Sequence, residues 1–257
     1  MSPPTATLAI MEFSRFTTGT AAEASALAAA AEGRSDAVVP TCPEWTVADL
    51  VHHVAMVYEH KTLCMRTGAP PQPWPPADEG DPVTRLRIAL GDLLAEFTGR
   101  EPTDPTYTWY DPDQTVGFWM RRMAHETTIH RVDAQLAAGI PVTPVDAALA
   151  EDGIDEFLDV CAVWGAGRRP ERLASAAADA TGEAVALVTP GRRRLVTVTP
   201  EAMVIAESDA PATATVTGDA SALYRWVWRR HDPETVTVEG DTAAVTRLHD
   251  VFAAFSQ

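Results

Sequence analysis

Apolar residues recur every three or four positions through most of the first half of the chain, the period of helices that bury one face. Phe13 to Ala31 is alanine-rich and free of proline, which favours a helix. VVPTCPEW follows and reads as a loop. Thr46 can then cap a second helix, with Asp49 in a capping-box arrangement. Val47, Leu50, Val51, Val54, Val57 and Tyr58 form that helix's buried stripe, and Gly68 with a proline cluster stops it near Arg66. A third helix is expected from Val83 to Phe97, with Leu86, Ile88, Leu90, Leu93 and Leu94 as its apolar residues. A fourth is expected from Thr115 to Ala138, with Phe118, Ile129, Val132 and Leu136 as its stripe. Four helices around one core predict a bundle.

The period changes near Gly139-Ile-Pro-Val-Thr-Pro, which places a domain boundary between residues 1–140 and 141–257. One more helix is expected from Val145 to Trp164. Beyond it, alternating runs appear in RLVTVTP, AMVIAES, ATATVTG and TVTVEG, each bounded by Gly, Pro or Asp as strands are. Helices are expected around Ala220–Arg229 and Thr242–Phe255, the last with Val245, Leu248, Phe252 and Phe255 on one face. The expected fold class is therefore α+β overall, a four-helix bundle followed by a small α+β domain.

With 257 residues the chain can build two cores, and its 46% hydrophobic content is that of a globular protein. A net charge of −16 argues against nucleic acid and anionic membrane surfaces as partners, because both would repel it. No apolar run is long enough to span a bilayer. The N-terminus lacks the basic and apolar regions of a signal peptide, the first ten residues read as loose, and Met11 is an alternative start. Cys42, Cys64 and Cys161 form no CxxC pair, which suits a reducing cytoplasm. Cys42, set between prolines, is a candidate reactive thiol, although a small half-buried residue is the commoner role for all three.

Candidate chemistry centres on WMRRMAHETTIHRVDAQL. Glu126 and His130 stand four residues apart, which on a helix puts a carboxylate and an imidazole on one face. They fall beside the apolar stripe, with Trp119. Two readings of that spacing are open: an ordinary helical pair, the commoner case, or two ligands of a divalent metal. His53, at the edge of the second helix's stripe, can supply a third ligand. His52 points away and is expected to be solvated, and His60, two turns on, is a reserve. His125 reads as a buried histidine or a support for the ligands. Two imidazoles and one carboxylate leave coordination positions open, as catalytic zinc or non-haem iron sites do.

CPEWTVADLVHHVA followed by RRMAHETTIHRVDA resembles the mycothiol-dependent maleylpyruvate isomerase family. The pattern in that family is Cys-Pro-x-Trp-Thr, then Asp-Leu-Val-x-His, then Arg-x-x-His-Glu-x-x-x-His-Arg-x-Asp. It falls here on Cys42 to Thr46, Asp49 to His53, and Arg122 to Asp133. The resemblance implies a DinB-like four-helix bundle and a second domain similar to sterol-carrier proteins. It implies His53, Glu126 and His130 as ligands of a divalent metal, zinc in the family's isomerase, and mycothiol as thiol cosubstrate. LYRWVWRRHDPETVTVEGD resembles the family's C-terminal motif, a Trp-rich helix ending in Gly-Arg. Arg230 aligns with that arginine and would bind a carboxylate of the substrate or the thiol cofactor bidentately, while a plain surface charge is the other reading. Arg229 and Glu44 stand where the family commonly has glycine. Arg122 and Asp133 are expected to orient the ligands, and Trp45 and Trp119 to belong to the core or pocket wall.

A metal with an open position lowers the pKa of a bound thiol, so that thiolate is present at neutral pH. In an isomerase that thiolate adds to an electron-poor cis double bond, the resulting single bond rotates, and the thiol leaves. In an S-transferase the adduct is the product. A metal-dependent hydrolase that activates water is the rival chemistry, and a binding relative without chemistry is the rival class. The expected partners are a small-molecule substrate and a low-molecular-weight thiol, with the chain a monomer or homodimer. A composition rich in Ala, Arg and Pro, with Lys61 the sole lysine, suits a high-GC actinobacterial host.

Overall fold

The structure is a computed structural model that describes residues 12–76, 80–230 and 235–256. The expected loose N-terminus and the alternative start at Met11 lie outside the described residues. Contacts divide the chain into two compact units, Met11–Thr143 and Pro144–Gln257.

In the first unit, helix α1 (Phe13–Ala31) precedes a short antiparallel hairpin, β1 (Val38–Val39) and β2 (Cys42–Thr46). That hairpin corrects the expectation of a plain loop at VVPTCPEW. Helix α2 (Val47–Thr67) starts at the predicted capping box: the Asp49 amide donates to Thr46 Oγ1 at 3.2 Å and the Thr46 amide to Asp49 Oδ2 at 2.8 Å. Caps of this kind contribute about 1 kcal/mol. The helix ends at Gly68, whose φ of 69° closes the last turn without steric cost. Asp81 caps α3 (Pro82–Thr98), and Thr115 caps α4 (Val116–Ala137).

Helix α4 is the axis of the bundle. It is buried almost all round, so the narrow stripe expected from Phe118, Ile129, Val132 and Leu136 understates it, and Leu136 itself is only half-buried. Polar residues that should face water are inside instead, and each interaction they make draws a neighbour inward. Arg131 donates to Glu23 Oε2 of α1 at 2.6 Å and to the Thr143 carbonyl at 2.6 Å, and Thr127 Oγ1 lies 2.6 Å from Tyr58 OH of α2. Buried polar groups persist only when paired in this way.

In the second unit, Asp146 caps α5 (Ala147–Glu156), which runs on as a π-helical segment (Phe157–Trp164) and then α6 (Gly165–Arg168). The single helix expected from Val145 to Trp164 therefore changes its winding midway. A further helix, α7 (Pro170–Ala176), was not expected from the sequence. A five-stranded sheet follows in the order β5-β4-β3-β6-β7, from β3 (Ala184–Thr189), β4 (Arg192–Val198), β5 (Met203–Glu207), β6 (Ala214–Thr217) and β7 (Thr237–Gly240). Only the β3–β6 pair is parallel. Helices α8 (Ala220–Val227) and α9 (Thr242–Ala253) pack against it. Arg194, fully buried on β4, reaches Asp155 at 2.5 Å and Glu151 at 2.7 Å, tying sheet to α5. No helix among the described residues is long and apolar enough to cross a membrane.

Helix α8 ends in a Schellman turn. The Arg230 amide donates to the Arg225 carbonyl at 2.7 Å and the Arg229 amide to the Trp226 carbonyl at 2.9 Å. Arg229 takes the left-handed position, with φ 63°, where a side chain is strained and glycine is not. The glycine common in the resembling family thus has a backbone reason. Arg229→Gly should be more stable than Arg229→Ala by roughly 0.5–1 kcal/mol in urea unfolding, since both lose the side chain and differ only in backbone freedom. Equal stabilities would contradict the left-handed turn.

Candidate metal centre

Helices α2 and α4 pack side by side, and the capped start of α2 fixes which of its residues meet α4. His53 comes from the second turn of α2, Glu126 and His130 from successive turns of α4. One donor atom of each lies within 4.8 Å of the other two. Glu126 Oε1 is 3.3 Å from both His53 Nε2 and His130 Nε2. The two imidazoles meet edge to face with centroids 5.1 Å apart, and Trp45 of β2 lies 4.9 Å from the His53 ring.

The two inner side chains of α4 are held from behind. The Arg122 guanidinium donates to Glu126 Oε2 at 2.6 Å, leaving Oε1 for the centre. Asp133, fully buried, lies 3.1 Å from His130 Nδ1 through Oδ2, which turns Nε2 inward. Asp133 Oδ1 accepts from Thr41 Oγ1 at 2.6 Å, so the turn of the β1–β2 hairpin anchors the same chain of contacts. Support of this kind fixes both the tautomer and the aim of a ligating histidine.

Burial works against charge at both Glu126 and His130, yet charge prevails. Burial alone would raise the Glu126 carboxyl, but hydrogen bonds from His130 and His53, with the Arg122 charge behind, hold it well below the usual carboxylate range. Burial alone would lower His130, but Asp133 and Glu126 push it up to about 9. A negative pocket that draws a proton onto an imidazole is also one that a cation would satisfy. The donor set fits a divalent ion: two imidazole nitrogens and one carboxylate oxygen, each oriented by a further contact.

The other histidines are elsewhere. His52 is half-buried with Nδ1 3.5 Å from Arg85 of α3, which corrects the expectation that it is solvated. His60, the reserve, faces Cys64 and Lys61 and lies outside the cluster. His125 is buried edge-on to Phe16 of α1. Cys42 is half-buried at the start of β2, and Glu44 is exposed on the same strand. Trp119 is fully buried, its indole N–H donating to the Tyr107 carbonyl at 2.9 Å. Arg230 belongs to the unit Pro144–Gln257, where its Nη1 donates to the Trp228 carbonyl at 2.7 Å. Thr41 went unnoticed in the sequence, since a hydroxyl in a Pro-Thr-Cys-Pro turn carries no periodic signal.

Thr41→Val removes only the hydroxyl that steadies Asp133. It should weaken zinc binding about tenfold in competition with a chromophoric chelator, and Thr41→Ser should restore it. Unchanged affinity in the valine variant would show that the hairpin does not support the centre.

Comparison with known proteins places these features. Residues 16–135 match the family model for the mycothiol maleylpyruvate isomerase N-terminal domain, and residues 148–247 match the MDMPI C-terminal domain. No curated protein sequence matches the chain. Among solved structures, the mycothiol-dependent maleylpyruvate isomerase is 15% identical, with a TM-score of 0.56 over 89% of this chain and 93% of that one. A histidine-to-alanine variant of that enzyme is 14% identical with a TM-score of 0.57 over the same shares. Identities this low establish a shared fold and nothing finer. With both domain models matched in order along one chain, this protein belongs to the mycothiol-dependent maleylpyruvate isomerase family.

Proposed function

We propose that the chain is a metal-dependent enzyme that uses a low-molecular-weight thiol, mycothiol, to isomerise or S-conjugate a small electrophile bearing a carboxylate. The observation that carries this reading is the convergence of His53, Glu126 and His130, with the outer atoms of Glu126 and His130 already committed. Family membership supports an enzyme of this type. A divalent ion, zinc by resemblance, would supply a Lewis-acidic position at which a thiol ionises near neutral pH.

The chain's own residues have separable tasks. His53, Glu126 and His130 would hold the ion. Arg122 and Asp133 keep Glu126 and His130 aimed at it, so little reorganisation is needed on binding. Trp45 packs against the His53 ring. Arg230 would take a substrate carboxylate, as the resemblance of the C-terminal motif suggests. A thiolate would add to an electron-poor cis double bond; rotation and loss of the thiol would give the trans isomer, whereas release of the adduct would make the enzyme a transferase.

Untagged protein should carry about one zinc or similar divalent ion per chain by elemental analysis, and His130→Ala should lose it. The same variant should lower kcat/KM for mycothiol-dependent isomerisation of maleylpyruvate by more than about 100-fold. A protein that takes up no zinc, nickel, manganese or iron would be a binding relative of the family. One that binds metal and cleaves esters without any thiol would be a hydrolase.

A further inference from the structure

The α2–α4 interface does not end at the metal centre. Tyr58 and Thr127 also meet across it, and farther along α2 Lys61 lies over Trp119 of α4. Lys61 is the chain's sole lysine, and it is half-buried. Its ammonium lies 5.1 Å from the centre of the Trp119 ring and 3.2 Å from His60 Nδ1. Among the described residues no carboxylate stands within ion-pair distance of it.

Removing an ammonium from water without a counter-ion is costly, and an aromatic face offsets only part of that cost. Burial accordingly pushes the Lys61 ammonium below its usual range, with the charges at Cys64 and Glu126 acting against that shift. His60 is pushed down to about 4 by burial and by Lys61 itself, so at pH 7 it is neutral and its Nδ1 can accept from the ammonium. Trp119 is fixed in turn by its bond to the Tyr107 carbonyl. Arg122, the nearby guanidinium on α4, already donates to Glu126. Lys61 is thus a partly desolvated amine on the same interface as the metal centre, and an anion beside it would favour its charged form.

We propose that Lys61, seated on Trp119, is a carboxylate subsite of the metal centre and selects substrates with an acid group several bonds from the reacting carbon. The separation follows from the helix: Lys61 stands eight residues after His53, about 12 Å of rise along α2. The inference rests on the thiol-dependent reading of the centre and adds to it a residue that sets substrate length and charge. A lysine whose stem merely covers Trp119 would occupy the same place, and the experiment must separate the two roles.

The full-length, zinc-loaded protein is titrated calorimetrically with cis,cis-muconate, an unsaturated dicarboxylate, and with its uncharged dimethyl ester. Lys61→Met should weaken muconate binding about tenfold or more and leave the ester unchanged, while Lys61→Arg should stay within about threefold of the parent. Lys61→Gln repeats the test should methionine disturb the fold. Equal muconate affinity in Lys61→Met, an equal loss for acid and ester, or no muconate binding by the parent would overturn the subsite. Zinc content is measured on every sample, and the titrations are repeated on zinc-free protein. A parent that takes up no zinc refutes the metal reading, while the Lys61-dependent preference for acid over ester still decides the subsite.

Discussion

Glu126 is a carboxylate on a helix that has no solvated side, and the first unit is organised around keeping it charged. Burial opposes that charge, so the carboxylate persists only because Arg122 grips one oxygen and two imidazoles crowd the other. Each of those partners needs support of its own. His130 leans on Asp133, Asp133 on Thr41, and Thr41 sits in a hairpin that exists to reach α4. The bundle can therefore be seen as a scaffold for two carboxylates, Glu126 and Asp133, joined through His130. Replacing such a network with apolar residues would be neutral or stabilising for many folds, so its presence at the centre of this one points to function.

Two features of the surroundings give that charge a use. The outer atoms of Glu126 and His130 are committed before any ion arrives, which is how a protein holds ligands in position with little reorganisation. The neighbouring interface carries one further basic group, Lys61, seated on Trp119. An anionic electrophile approaching a bound thiol would meet attraction along that interface in a chain whose net charge is otherwise −16.

Much of this was legible in the sequence because it rests on local rules. Thr46 with Asp49 and Gly68 announce the ends of α2 through capping chemistry, and the structure places α1 to α4 within a residue or two of the expected bounds. The spacing of Glu126 and His130 fixed their shared face, though only the fold could show what stands behind them. Strand β3 escaped because a central strand reads as a continuous apolar run and follows an alanine-rich stretch that favours helix. The β1–β2 hairpin and the partner of His52 were hidden for a different reason. They depend on contacts between segments distant in sequence, which periodicity does not encode. Thr41 and Lys61 belong to the same class: one is an ordinary turn residue and the other a compositional oddity until α4 is set beside them.

The central claim is that His53, Glu126 and His130 present a metal to a thiol. The most direct measurement is the near-ultraviolet absorption of the cobalt-substituted protein as mycothiol is added. The account predicts a saturable thiolate-to-cobalt charge-transfer band that is absent in His130→Ala and absent when an alcohol analogue replaces the thiol. A cobalt spectrum that mycothiol leaves unchanged would contradict it, because the thiol would then react, if at all, without touching the metal.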